Sequence, residues 1–217
     1  ALFALAQGRF SLYTILDITD PALKRRLADL CDHQDFVAQA PMVLVFLADC
    51  FRWCEIYRAA GLTPRAAGAG DLMLAAADAC IAAENCVSAA EALGLGSCYI
   101  GDILENCEQV RAALELPDTV VPAAMLVFGR PTAQQRARRK PARLAPEYVV
   151  CENRYRRRPP EDWRAALTEQ AARHGEARYD FDADVAAFCR RKYESDFSRE
   201  MTRSAAAYWR AFAPEEE

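Results

Sequence analysis

The residues whose type and spacing best suit chemistry are glycines. Gly94, Gly96 and Gly101 follow the long apolar run Leu72–Leu93 and bracket Tyr99, in the order L-G-L-G-S-C-Y-I-G-D. Glycine lets a backbone turn sharply and come close to a flat ligand. A helix C-cap accounts for Gly94, but not for Gly96 and Gly101 together. No Ser or Cys stands in a nucleophile-elbow motif, His33 has no recognisable acid partner, and no carboxylate pair shows a catalytic spacing. That silence suits a bound group that carries the chemistry while the chain supplies placement and backbone donors. Two further patterns belong with it. Cys31-Asp32-His33-Gln34 leads through Ala40-Pro41 into the apolar run Met42–Ala48 and Asp49. On its own features Gln34 reads as a cap on a helix-to-strand turn. Arg136, Arg138, Arg139, Lys140 and Arg143 form a basic run, which reads as a solvated loop or as fixed cations for a phosphate.

Composition narrows the class. The chain has 217 residues, 53% of them hydrophobic and 27% charged. This fits a globule with a sizeable core, as one domain or one domain with a helical appendage. A net charge of −4 gives no global basic character to attract nucleic acid, and the basic run lacks interleaved aromatics. Nine cysteines, an odd number without metal-ligand spacing, point to a reduced, cytoplasmic setting and no metal site. Leu72–Leu93 is long enough for a membrane span, but Asp78, Glu84, Asn85, Ser88 and Glu91 interrupt it, so it reads as a buried core helix.

The elements that must position these residues follow from the pattern. Ser11–Ile18 is β-branched and aromatic, hence a strand. Asp20-Pro21 caps a helix over Ala22–Cys31. Met42–Ala48 and Ala123–Gly129 are continuous apolar runs typical of strands buried on both faces. Helices are expected over Cys50–Ala60, Leu72–Leu93 and Glu105–Leu114, with the glycine segment as a loop. Glu147–Val150 reads as a short strand, Arg154–Pro160 as a linker, and Glu161–His174 and Ala183–Phe212 as helices. This order argues α+β or α/β with a covered sheet.

These motifs resemble the FMN-dependent nitroreductase family. Ala82–Asp102 follows the family's A-A-(Q/E)-N/S…A-A-E-x-L-G-(L/I)-G-S-x-Y-I-G-(D/G). Cys31–Asp49 follows C-D-x-Q…A-P-x-x-L-x-F-x-A-D, and Lys140-Pro141-Ala142-Arg143 follows K-P-x-R. The carboxy-terminal segment is similar to the family's R-K-x-x-S-D-F-S-x-E-M-N-R-S, with Thr202 at the Asn position, so the likeness runs from Leu12 to about Trp209. The resemblance implies an α+β fold: a three-layer α/β/α sandwich with a central, mostly antiparallel sheet and a long buried helix, dimeric. It implies residues 1–158 as the FMN-binding domain and 159–217 as a helical extension packing on the same domain or the partner subunit. It assigns Gln34, Tyr99, Ile100 and Gly101 to the isoalloxazine, with Ile100 and Gly101 on its N5 and O4 side, and Lys140 and Arg143 to the phosphate. Gly8 and Arg9 fall on the flavin-contacting amino-terminal motif, where Leu5, Ala6 and Arg9 replace the usual Pro, Thr and Asn. An upstream basic arm is expected ahead of Ala1. The implied activity is hydride transfer from NAD(P)H, a transient co-substrate since no G-x-G-x-x-G is present, through FMN to nitroaromatic, quinone or similar small-molecule acceptors. The altered amino terminus keeps a second expectation open, a degenerate dimer of this fold with weak or no flavin binding and a non-catalytic role.

Overall fold

A computed structural model describes residues 11–213. The first part contains β1 (Tyr13–Asp17), α1 (Pro21–Leu30), α2 (Asp35–Gln39), β2 (Met42–Asp49), α3 (Phe51–Ala59), α4 (Ala69–Ala92), β3 (Gly96–Ile100), a 3-10 turn (Gly101–Leu104), α5 (Cys107–Ala113) and β4 (Val120–Gly129). There follow α6 (Ala133–Ala137), α7 (Pro146–Val149), α8 (Pro160–His174), α9 (Phe181–Lys192) and α10 (Asp196–Trp209). Contacts divide the chain into two units. The first runs to Pro131 and resumes at Glu200; the second is Thr132–Arg199. The basic run lies in the second unit and the last helical turns in the first.

The first unit is built on a four-stranded sheet in the order β1-β2-β4-β3, with every pair antiparallel. β2 and β4 are central, and successive side chains go to opposite faces. Val43, Val45 and Leu47 of β2 join Val120, Met125 and Val127 of β4 in one cluster, which Leu27 and Ala28 of α1 and Val110 of α5 complete. Phe46 joins Ala124, Leu126 and Phe128 in the opposite cluster, with Ala79, Ala82 and Ala83 of α4. Helices thus cover both faces, which is the expected three-layer arrangement. The pairing shifts between Phe46 and Leu47 because Ala123 is an extra residue in β4. Its neighbour Pro122 lacks an N–H, but β3 ends opposite Met125, so Pro122 lies where β4 has only β2 as neighbour.

Alanine governs the α4 layer. Ala75, Ala79, Ala82 and Ala83 are fully buried, and their small side chains let the helix axis come close to Phe46 and Phe128. Its other face carries Met73, Leu74 and Ile81 in the open. By length and composition α4 also qualifies as a membrane span, but its inner face is occupied by the sheet. Buried Asp78 accepts from the Leu12 backbone N–H at 2.8 Å, tying the helix to the start of β1.

Three local expectations change. Gly96–Ile100 is a strand, not a loop, because β4 offers the edge of Met125–Gly129 that faces away from β2 as a partner. Residues 147–150 lie in a helical turn, not a strand. Pro146 occupies its first position, Tyr148 N–H bonds Ala145 O at 3.0 Å, and among the described residues no strand pairs with it. The expected helix Ala183–Phe212 breaks after Lys192, and Ser195 restarts it by accepting from Ser198 N–H at 3.3 Å. A short helix at Asp35–Gln39 was not anticipated.

Overpacking the α4–sheet contact should be costly. Replacing Ala82 by Leu is expected to lower the unfolding free energy by about 1–3 kcal/mol, read from the midpoint of urea unfolding.

Candidate functional site

Gln34 is delivered by a tight reversal. Asp32 and His33 both adopt left-handed backbone angles, φ 58° and 54°, a conformation that Asp and His accept more readily than most side chains. The Gln34 N–H bonds Ala28 O at 3.0 Å, closing the end of α1. The Gln34 side-chain amide then donates twice. One bond goes to Cys31 O at 2.8 Å, the capping role readable from local sequence. The other goes to the carboxylate of Asp102, in the 3-10 turn directly after β3. This bond brings together two motifs 68 residues apart.

The glycine segment presents an open backbone beside that bond. Ile100 turns its side chain into the core and is 2% exposed. Tyr99 is half exposed, and its hydroxyl donates to Glu84 of α4 at 3.2 Å. Burial, then the bond to Glu84, pushes the Tyr99 phenol up to about 12. Gly101 is exposed, and a β-carbon built on it meets nothing within 4 Å. The fold does not itself require glycine there, so the space before this backbone is free for a flat group. Among the described residues no strand pairs with the outer edge of β3. An open backbone, an edge strand and an oriented amide fit a planar ring that carries hydrogen-bonding atoms along one side. Gly94, by contrast, is a helix terminator: it has φ 72°, and Leu95 N–H bonds Ala90 O at 2.9 Å.

A cluster of acids lies behind the open surface, and sequence reasoning missed it. Glu105 is 6% exposed. Burial first, then the nearby charges of Asp102, Asp32 and Glu200, raises its carboxyl to about 7. The Cys31 thiol is pushed up to about 12 by burial, with Asp102 and Glu105 adding to it. The four carboxylates come from positions 32, 102, 105 and 200, so only the three-residue step from Asp102 to Glu105 was visible in the sequence. Among the described residues no group of three or more His, Cys, Asp or Glu is arranged to hold a metal ion.

The carboxy-terminal helix bonds within its own chain. Glu200 accepts from Asn106 N–H at 3.2 Å and Ser204 from Cys107 N–H at 2.6 Å, filling two of the donors left open at the start of α5. The Arg203 guanidinium forks onto Glu108 at 2.9 and 2.8 Å and also holds Glu200. Its hydrogen bonds keep the Glu108 carboxyl down at about 2.

Lys140 and Arg143 belong to the second unit, where both are exposed. α8 fixes the backbone between them: Gln170 donates to Ala142 O at 2.7 Å and Arg173 to Arg143 O at 2.9 Å. Gly8 and Arg9, with Leu5 and Ala6, lie outside the described residues.

The raised Glu105 carboxyl makes a pH prediction. Its neutral form is favoured in the folded chain, so the stability it gives is complete below the usual carboxylate range and is lost as pH rises from about 4.5 to about 7. Glu105→Gln removes that loss. The variant should be more stable than the parent at pH 8, by on the order of 2 kcal/mol, and the gain should vanish at pH 4 in chemical denaturation series.

Comparison with known proteins gives a consistent set. A family profile described as "Nitroreductase family" matches residues 13–130, more than half of the chain. The "FMN reductase (NADPH)" of Bacillus subtilis is 34% identical over 145 residues, covering 66% of this chain and 57% of that protein. The "Oxygen-insensitive NADPH nitroreductase" of Salmonella typhimurium is 41% identical over 142 residues, 65% of this chain and 56% of that protein. The aligned part thus spans little over half the length of these curated relatives. Among solved structures, NfrA2 of B. megaterium superposes with a TM-score of 0.77 at 26% identity, over 99% of this chain and 85% of that one. NfrA1 nitroreductase of B. subtilis gives 0.73 at 27% identity, over 93% and 85%.

Proposed function

The chain belongs to the nitroreductase family, and we propose that it is an FMN-dependent oxidoreductase that passes hydride from NAD(P)H to nitroaromatic, quinone or similar acceptors. The observation that carries the reading is the open Gly101 backbone beside the Gln34–Asp102 hydrogen bond. The printed activities of its relatives, FMN reductase and NADPH nitroreductase, support it. Bound FMN supplies a two-electron acceptor and donor within one ring system. The chain's own residues do the rest. Gln34 orients an amide toward the ring edge, and Tyr99–Gly101 offer backbone at contact distance. Ile100 anchors that backbone in the core. Lys140 and Arg143 meet the phosphate, and Gly8 and Arg9 complete the flavin contacts. No side chain in this set is asked to act as nucleophile or base.

We further propose a homodimer. The exposed Met73, Leu74 and Ile81 on α4 give an apolar face that a second copy covers. The cytoplasm is the proposed compartment, consistent with nine free cysteines and no disulfide.

Purified protein is expected to bind FMN, to oxidise NADPH or NADH when an acceptor is added, and to sediment at twice the chain mass. A colourless monomer that does not take up added FMN overturns the reading. Lys140→Ala or Arg143→Ala should weaken FMN by about tenfold or more while leaving riboflavin, which lacks the phosphate, little changed. Equal losses for both flavins remove these residues from the phosphate. Gly101→Val has space in the empty fold, so its unfolding midpoint should match the parent while NAD(P)H oxidation falls at least tenfold. Unchanged turnover rejects that contact.

A further inference from the structure

We propose that Asp102 is a positioning residue, holding the Gln34 amide in the orientation that receives the flavin ring, and that the buried Glu105 carboxyl behind it governs how firmly that orientation is kept. This rests on the flavin reading above and extends it to residues that touch no cofactor.

The geometry is specific. A glutamine side chain rotates about three bonds and is disordered on a surface unless tied. Gln34 is tied at two points, to Cys31 O and to Asp102, so both amide hydrogens are used and the carbonyl end is fixed in direction. The Cys31 bond alone joins the amide to its own loop. The Asp102 bond joins it to the turn that begins at Gly101, so the amide and the open backbone keep a constant relation. A carboxylate acceptor makes this bond stronger than a neutral one.

Glu105 bears directly on that acceptor. Its own N–H bonds Asp102 O at 3.0 Å, closing the turn, and its carboxyl is buried among Asp102, Asp32 of the α1–α2 reversal and Glu200 of α10. Arg203, which bonds Glu200 of this cluster, is shared between Glu108 and Glu200. With Glu105 neutral, Asp102 carries its charge with modest opposition and keeps Gln34. Once Glu105 ionises, two carboxylates three residues apart repel across the turn. The added negative charge also opposes the carbonyl oxygens of a flavin ring nearby. The carboxyl crosses between these states near neutral pH.

Dissociation constants for FMN and riboflavin, measured by fluorescence quenching on the full chain from pH 6 to 8.5, test this. Asp102→Ala should weaken both flavins by a like factor of roughly tenfold, since the effect lies on the ring side. Asp102→Asn, whose side-chain oxygen still accepts from Gln34, should bind within about threefold of the parent. The parent should lose affinity as pH rises through 7, and Glu105→Gln should hold it flat. Asp102→Ala binding like the parent, or Asp102→Asn losing as much as Asp102→Ala, overturns the positioning role. A flat parent profile, or an unchanged slope in Glu105→Gln, overturns the role of Glu105. The Gln34 side-chain amide signals in nitrogen-15 spectra of flavin-free protein separate this from the functional reading. A parent that binds neither flavin defeats the functional reading, and the proposal with it. Signals that still move in Asp102→Ala would then establish the bond alone.

Discussion

Burial of both faces of β2 and β4 is the constraint from which the rest of the first unit follows. Two apolar strands with no solvent face need a helix layer on each side. α1 and α5 supply one layer and the alanine face of α4 the other. Because α4 must lie close to the aromatic side chains of the sheet, its inner positions are restricted to small residues. Its end and the following strand are then fixed in place: Gly94 stops the helix, β3 pairs with the far edge of β4, and Gly101 emerges at the rim. The open backbone of the candidate site is the direct product of a packing requirement in the adjacent layer.

The second organising element is polar. The start of α5 points unsatisfied backbone donors toward the acids of the site, and side chains from α10 fill them. The same helix turn carries Arg203, whose guanidinium offsets part of the negative charge of Glu108 and Glu200. Asp102 and Glu105 are therefore held between an amide on one side and a capped helix on the other. This arrangement makes a half-neutral acid cluster compatible with a folded chain.

Much of this was legible in the sequence, and the exceptions have physical reasons. Met42–Ala48 and Ala123–Gly129 were readable because strands buried on both faces are continuously apolar, and α1 because Asp20 and Pro21 mark its start. β3 was not, since five residues beginning with glycine show no alternation and its pairing comes from β4. Tyr148-Val149-Val150 has the composition of a strand, but composition has no effect without an edge to pair with, and Pro146 starts a turn instead. Gln34 was found through its motif, while its partner Asp102 was quoted only as part of a backbone run. The acid cluster escaped entirely, because carboxylates at 32, 102, 105 and 200 converge only after folding. The signature Glu200, Arg203, Ser204 was visible but looked like plain packing, since a helix cap supplied from far along the chain leaves no local spacing to recognise.

That distant cap has a kinetic meaning. The bonds from Asn106 to Glu200 and from Cys107 to Ser204 close loops of 94 and 97 residues. Contacts so far apart in the chain raise the contact order and slow the final step of folding. On the ribosome, β4 and the sheet are complete long before Glu200 emerges, so α5 waits with its first donors open to water. The first unit is thus finished only after the whole of the second has been synthesised. A nascent chain stalled anywhere within the second unit would display a sheet whose α5 lacks its clasp.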